Sequence, residues 1–150
     1  MALKEGDKAP AIKVQTDTGE PFDLAQLKGQ KVVLYFYPRA DTPGCTIEAN
    51  EFRDAIKKFQ NKAVVLGISP DTPKAQAKFK EKYKLPFTLL CDPDKQVAEA
   101  YGVMKEKNMY GKKVWGVART TFLIDEQGKI EKIFEKVKPE GHAEQVLCAL

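Results

Sequence analysis

Two runs of β-forming apolar residues, separated by an amphipathic segment, restrict what this chain can fold into. Lys31–Tyr37 is nearly continuously apolar, and Ala63–Ser69 repeats the pattern. Such runs are typical of central strands that are buried on both faces of a sheet. Within the intervening segment Cys45–Phe59, apolar residues recur at the spacing of an amphipathic helix. They are Ala49, Phe52, Ile56 and Phe59. The pattern therefore predicts a buried sheet with a helix packed against it.

The rest of the chain continues the alternation of strands and helices. Further strands are predicted at Ala11–Thr16, Phe87–Cys91, Ala118–Ile124 and Lys129–Val137. Further helices are predicted at Asp71–Tyr83 and Asp94–Tyr101, and from about Glu140 onward. The polar, glycine-punctuated segment Gly102–Gly116 is interpreted as a loop.

This order of elements predicts an α/β fold in which a central mixed sheet is flanked by helices. It matches a thioredoxin-like fold, although periodicity alone does not separate that fold from other small α/β folds. The chain has 150 residues, of which 43% are apolar, and it shows no repeat or flexible linker. We therefore expect one domain covering residues 1–150.

Composition excludes several classes of partner. The 25 lysines and arginines stand against 21 acidic residues, and the lysines alternate with acids instead of forming a block. Neither nucleic acid nor a membrane is therefore an expected partner, and no signal peptide or membrane span is predicted. Cys45, Cys91 and Cys148 lack CxxC and metal-ligand spacing, and no G-x-G-x-x-G motif is present. We expect no cofactor, no metal, and a cytoplasmic location where thiols stay reduced.

The loop that precedes the first long helix carries the strongest chemical signal. Thr42 is a good N-cap residue and Pro43 suits the first helical position, which places Cys45 in the first turn. There the free backbone N–H groups and the helix dipole favour an anion, and thiolate is the nucleophilic form of cysteine. Cys45 also precedes Ala49 by four residues, so we expect it to point inward, into a pocket at the sheet edge.

Pro38, Thr42 and Cys45 form a Pro-x-x-x-Thr-x-x-Cys pattern, and Asp41–Thr46 is followed by Glu48. In these residues the chain resembles the peroxiredoxin family. The sequence immediately around Cys45 resembles the bacterioferritin-comigratory, or Q-type, branch of that family. The similarity extends over nearly the whole chain. Further matching segments are residues 67–71, 89–94, 98–103 and 119–125.

The resemblance implies a thiol peroxidase that reduces hydrogen peroxide and small alkyl hydroperoxides. Cys45 would be the peroxidatic residue, oxidised to a sulfenic acid. The hydroxyl of Thr42 would bond the thiolate and the peroxide, Pro38 would shield the pocket from water, and Arg119 would stabilise the developing charge. Arg119 also interrupts an uncharged β-run, where a cation needs a partner. Glu48 is a candidate for that partner, although a surface glutamate in a first helical turn needs no special role.

Many Q-type relatives carry a resolving cysteine five residues after the peroxidatic one, a position that Asn50 occupies here. Two interpretations follow. Either an external thiol (thioredoxin, glutaredoxin or a small thiol) reduces the sulfenic acid, or Cys91 or Cys148 resolves it. Cys91 ends a buried strand and reads as a core residue. Cys148 lies off the apolar stripe of the last helix and should be accessible. We favour the route through an external thiol.

Other functions remain open or are disfavoured. A disulfide reductase would need a CxxC pair, which the chain lacks. A peroxide-sensing or holdase module that uses Cys45 oxidation as a switch stays an alternative, since it shares the first chemical step. His142 is interpreted as a capping or surface histidine outside the site. We expect a monomer or a weak homodimer.

Overall fold

The structure is a computed structural model that describes residues 3–109 and 111–150. Its strands are β1 Lys13–Thr16, β2 Pro21–Asp23, β3 Val32–Phe36, β4 Val64–Ser69, β5 Thr88–Cys91, β6 Met104–Met109, β7 Lys112–Val117, β8 Thr120–Ile124 and β9 Ile130–Phe134. Its helices are α1 Pro43–Phe59, α2 Pro73–Tyr83, α3 Gln96–Ala100 and α4 His142–Ala149, with a 3₁₀ turn at Leu24–Leu27. None of the described helices is both long and apolar enough to cross a membrane.

Seven strands form the central sheet in the order β2-β1-β5-β4-β3-β8-β9. Strand β3 pairs in parallel with β4 and antiparallel with β8, and β4 pairs in parallel with β5. The sheet is therefore mixed, and helix α1 connects the parallel strands β3 and β4. The predicted α/β fold with a central mixed sheet is confirmed.

Strand β3 is buried along its whole length because its side chains pack into two hydrophobic clusters, one on each face of the sheet. Leu34 and Phe36 pack on one face of the sheet, and Val33 and Tyr35 pack on the other, beneath α1. On the α1 face the ring of Tyr35 stacks on that of Phe52 with centroids 4.7 Å apart. This double burial explains why the strand reads as a continuous apolar run.

The interpretation of Gly102–Gly116 as a loop is wrong. The segment belongs to the antiparallel hairpin of β6 and β7, in which Met104 pairs with Val117. The ribbon stands outside the seven-stranded sheet, and among its side chains whose burial the structure describes only Met104 and Val117, at its base, are buried. The predicted strands 118–124 and 129–137 are correspondingly shorter, as β8 and β9. Tyr110 lies outside the described residues.

The expectation that His142 is a capping or surface residue is also wrong, because the side chain is buried. His142 begins α4 but is 1% exposed, because the start of α4 packs against α1 and the sheet. Its Nε2 lies 2.7 Å from Thr121 Oγ1, and its Nδ1 lies 3.0 Å from Gln145 Oε1. Phe52 and Phe134 meet the ring edge to face. Burial lowers the pKa of His142 below its ordinary value of 6.5, so the neutral imidazole is favoured.

This burial makes part of the stability depend on pH. Because the pKa of His142 is lower in the folded chain, the stabilisation is present above pH 6.5 and is lost as pH falls through the folded pKa. We expect His142→Gln, which keeps polar atoms but does not titrate, to lose less free energy of unfolding than the wild type between pH 7.5 and 5. Urea unfolding at both pH values measures this. Equal losses in both proteins would contradict the prediction.

Candidate active site

The loop between β3 and α1 is held in place by contacts with α2 and with the segment that links β4 to α2. The backbone N–H of Ala40 donates to Asp71 Oδ2 at 2.7 Å. Lys82 and Tyr83 both donate to the carboxylate of Asp41, each at 3.0 Å. Asp41 has a left-handed backbone with φ 59°, which these contacts stabilise. Pro38 is half-buried at the start of this loop.

Thr42 occupies the N-cap position of α1 and Pro43 begins the helix, as the sequence predicts. Its hydroxyl, however, donates to the carbonyl of Arg39 at 3.0 Å and makes no capping bond to the first-turn amides. With its proton engaged by Arg39, Thr42 Oγ1 is left with lone pairs that can accept a hydrogen bond from a ligand. The first-turn amides of α1 likewise keep no side-chain partner.

Cys45 lies in the first turn of α1 and is only 1% exposed. It belongs to the hydrophobic cluster beneath α1, together with Ala49, Phe52 and Tyr35. The spacing of four residues between Cys45 and Ala49 puts both on the helix face that meets the sheet. The thiol therefore faces the interior near the end of β3, beside the N-terminus of the helix.

Arg119 joins this turn from the link between β7 and β8. Its Nη1 donates to Glu48 Oε1 at 3.3 Å, and the two side chains are 19% and 1% exposed. A Cβ on Gly44 would lie 2.6 Å from Arg119 Nη2, so the guanidinium rests directly against the backbone of Gly44. The structure thus brings Arg119 and Glu48 to the helical turn that carries Cys45. The sequence analysis missed Gly44; a glycine inside a helix, where it is unfavourable, is the signal that could have found it.

The electrostatics of this cluster are dominated by burial. Burial raises the pKa of Glu48 to about 7, and the charge and hydrogen bond of Arg119 act in the opposite direction. Glu48 Oε2 and Tyr35 Oη have no hydrogen-bond partner among the described residues. Burial, reinforced by Tyr37, Glu48 and Cys45, raises the pKa of Tyr35 well above its ordinary value, so its phenol stays neutral.

The other two cysteines lie apart from this cluster. Cys91 is buried at the end of β5, which β4 separates from β3. Burial, with Asp17 and Asp71 adding to it, raises the pKa of Cys91 to about 12. Cys148 is exposed and lines a surface cavity with Lys58 and Lys62 at the far end of α1. Lys58 follows Cys45 by thirteen positions in α1, a distance of about 20 Å along the helix.

No group of three or more His, Cys, Asp or Glu side chains within residues 3–109 and 111–150 is arranged to hold a metal ion. What the cluster offers is a thiol at a helix N-terminus, a guanidinium against the same turn, and a hydroxyl acceptor at the N-cap. Donors and a fixed positive charge of this kind stabilise an anionic nucleophile and the charge that develops when it reacts.

Comparison with known proteins identifies the family. The family profile described as AhpC/TSA matches residues 5–133. The chain belongs to the AhpC/TSA family of peroxiredoxins. It is 54% identical to the putative peroxiredoxin bcp of Coxiella burnetii over the full length of both chains. It is 45% identical to peroxiredoxin Bcp of Bacillus subtilis, over all of this chain and 96% of that protein.

Solved structures agree with this assignment. A cysteine-to-serine variant of PrxQ from Xylella fastidiosa matches with a TM-score of 0.93 and 34% identity, over 99% of this chain and 96% of that one. The bacterioferritin comigratory protein of Xanthomonas campestris matches with a TM-score of 0.87 and 38% identity, over 92% and 88%. The thioredoxin-like fold and the resemblance to the Q-type branch are confirmed, and this peroxiredoxin is a thiol peroxidase.

The close approach of Arg119 to Gly44 gives a first prediction for the site. In Gly44→Ala the new Cβ would displace the guanidinium from the turn of Cys45, so we expect the rate of oxidation by hydrogen peroxide to fall at least about tenfold. Stopped-flow fluorescence or competition with a peroxidase measures this rate. In an Arg119→Ala background the same glycine substitution should cost little more. An equal loss in both backgrounds would show that Gly44 does not act through Arg119.

The buried carboxyl of Glu48 gives a second prediction. Its folded pKa of about 7 exceeds the ordinary 4.5, so the folded chain holds a proton that the unfolded chain releases. That stabilisation is complete below pH 4.5 and is lost as pH rises through 7. Relative to the wild type, Glu48→Gln should gain free energy of unfolding between pH 5 and 8, by up to about 3 kcal/mol. Urea unfolding tests this, with exposed Glu81→Gln as the control, and a pH-independent difference would contradict it.

Proposed function

We propose that this peroxiredoxin reduces hydrogen peroxide and small alkyl hydroperoxides with Cys45 as its peroxidatic residue. One observation carries the proposal: the guanidinium of Arg119 lies against Gly44, in the same helical turn as Cys45, and Glu48 holds it there. The solved structure of the Xanthomonas campestris relative is described in terms of alkyl peroxide reduction, which supports the inclusion of alkyl hydroperoxides.

The geometry supports an in-line displacement on the peroxide. The thiolate of Cys45 attacks the terminal oxygen, the O–O bond breaks, and the second oxygen leaves as hydroxide or alkoxide and takes up a proton. Cys45 retains the first oxygen as a sulfenic acid. The hydroxyl of Thr42 accepts a hydrogen bond from the peroxide, Arg119 stabilises the negative charge, and Pro38 restricts the access of water. Glu48 acts as a positioning residue for Arg119.

We further propose that an external thiol completes the cycle. A disulfide requires Cα atoms within about 7 Å, whereas Cys148 lies by the opposite end of α1 from Cys45. Cys91 is buried, and with a pKa of about 12 it is protonated at neutral pH. Asn50 stands where many relatives carry a resolving cysteine, and an amide cannot attack a sulfenic acid. These features support thioredoxin, glutaredoxin or a small thiol as the reductant.

The proposal also covers the type of activity, the cellular location and the oligomeric state of the protein. The peroxiredoxin names of the relatives favour a turning-over enzyme above a peroxide sensor or holdase, because a sensor is oxidised only once. Three free cysteines suit the reducing cytoplasm. We propose that the chain acts there as one thioredoxin-like domain, as a monomer or a weak homodimer.

The test is the fate of Cys45 after one equivalent of hydrogen peroxide. With a sulfenate-trapping dione present, we expect one adduct, located on Cys45 by peptide mapping after intact-mass spectrometry. The double variant Cys91→Ser with Cys148→Ser should give the same adduct at the same rate, and Cys45→Ser should give none. Loss of two hydrogens with a mapped disulfide would replace the external-thiol route by internal resolution. A Cys45 that stayed a thiol for minutes would refute the peroxidatic role.

A further inference from the structure

One residue of α2 makes hydrogen bonds to the chain on both sides of Cys45. The hydroxyl of Tyr83 donates to Asp41 Oδ1 at 3.0 Å, and Asp41 precedes Cys45 by four positions. The carbonyl of the same Tyr83 accepts a bond of 2.8 Å from Nη1 of Arg53, which follows Cys45 by eight positions on α1. Tyr83 therefore connects the loop that leads into α1 with the body of that helix.

The bond from Arg53 has a fixed direction. Its side chain is half-buried, and its Nε and Nη2 both lie 3.0 Å from Oδ1 of the adjacent Asp54. A planar guanidinium that is held on one side presents its remaining donors in set directions. The body of α1 is therefore tied to the last residue of α2 at one position along its axis.

The side chain of Tyr83 rests on an ordered part of the core. Its ring meets that of the buried Phe79 edge to face, with centroids 5.6 Å apart. The ring of Phe79 lies 6.0 Å from that of Tyr37, whose hydroxyl donates to the buried Gln76 Oε1 at 2.6 Å. These contacts fix α2 to the residue that follows β3, so the hydroxyl of Tyr83 is presented from a well-packed element.

The bond to Asp41 bears on the orientation of Thr42. Asp41 has φ 59°, a backbone conformation that residues other than glycine rarely adopt. The peptide between Arg39 and Ala40 lies just before it. The N–H of this peptide donates to Asp71 at 2.7 Å, and its carbonyl accepts the hydroxyl of Thr42 at 3.0 Å. If Asp41 relaxed to a negative φ, the hydroxyl of Thr42 would turn away from that carbonyl.

Lys82 contacts the same carboxylate but holds it less firmly. Its Nζ lies 3.0 Å from Asp41 Oδ2, and the two side chains are 57% and 44% exposed. Exposed pairs of this kind contribute little, because a long flexible side chain must be ordered to form them. The ring of Tyr83 is already ordered by its packing on Phe79. The hydroxyl of Tyr83 is therefore the main support of Asp41.

We infer that Tyr83 is a positioning residue for the oxidation of Cys45 by peroxide. It acts through Asp41 on the hydroxyl of Thr42. The inference rests on the proposed function, in which that hydroxyl accepts a hydrogen bond from the peroxide. A contact with the substrate speeds the reaction only while its direction is right, and a misplacement of about 1 Å can cost about a hundredfold in rate. The bond from Tyr83 keeps Thr42 Oγ1 in the orientation that leaves its lone pairs for the peroxide.

The experiment compares two reactions of the Cys45 thiolate in the same variants. Oxidation by hydrogen peroxide uses the hydroxyl of Thr42, whereas alkylation by iodoacetamide needs only the thiolate, which displaces iodide. Both second-order rate constants are measured by rapid quenching and intact-mass spectrometry, with Cys91 and Cys148 replaced by serine throughout. In Tyr83→Phe, which removes only the hydroxyl, we expect the oxidation rate to fall at least about fivefold and the alkylation rate not to fall.

Three further variants test the specificity of this effect. Tyr101→Phe is the matched control, because it also removes one tyrosine hydroxyl bond, of 2.7 Å to the carbonyl of Pro10, on the other face of the sheet. It should leave both rates unchanged. Lys82→Gln should lower the oxidation rate by less than about twofold. Asp41→Asn keeps an oxygen acceptor and tolerates a left-handed backbone, so it should retain most of the wild-type oxidation rate.

A double variant tests the route through Thr42. In a Thr42→Val background the loss of the Tyr83 hydroxyl should cost little more, since the group on which it acts is already absent. A full further loss in that background would overturn the inference, as would an unchanged oxidation rate in Tyr83→Phe. Equal falls in oxidation and alkylation would assign Tyr83 a general structural role and would overturn it too. A wild type whose Cys45 is alkylated but not oxidised would instead refute the proposed function, and the inference with it.

Discussion

The buried ion pair between Glu48 and Arg119 is the contact on which the active site depends. It joins α1 to the link between β7 and β8, two segments that are 71 residues apart in the chain. Burial penalises the charged form of Glu48, whose side chain is 1% exposed, and the charge and hydrogen bond of the partly exposed Arg119 offset part of that cost. This contact requires a glycine at position 44, because any side chain there would occupy the space of the guanidinium. The position of the guanidinium beside the helical turn of Cys45 therefore follows from this contact.

Much of the fold could be predicted from the sequence because local patterns of apolar residues determine its central strands and helices. Strand β3 is buried on both faces, so its apolar run is continuous, and α1 has one buried face, so its apolar residues recur at helical spacing. Thr42 and Pro43 marked the start of α1 correctly, because an N-cap residue followed by proline is a local signal for a helix N-terminus. The resemblance to the peroxiredoxin family, together with the uncharged β-run around it, singled out Arg119, and the structure places its guanidinium against Gly44 in the turn of Cys45.

What the sequence did not reveal depends on contacts between distant segments. Among the side chains of the β6–β7 ribbon whose burial the structure describes, only Met104 and Val117 at its base are buried, and its many polar residues and glycines favour the interpretation as a loop. The burial of His142 depends on where α4 docks, which no local pattern encodes. The role of Gly44 becomes visible only once a guanidinium from the other end of the chain lies against it. In each case the missing information was a tertiary neighbour.

The position of Asn50 on α1 has a consequence for the dynamics of the enzyme. Residues five apart in an α-helix have Cα atoms about 8–9 Å apart, which exceeds the reach of a disulfide. A resolving cysteine at position 50 could meet Cys45 only after several backbone hydrogen bonds of α1 had broken. With Asn50 in that place, no internal crosslink draws the two ends of this segment together. The helix is free to keep its hydrogen-bond ladder from Asn50 to its C-terminus in every redox state, so amide hydrogen exchange there should be independent of oxidation.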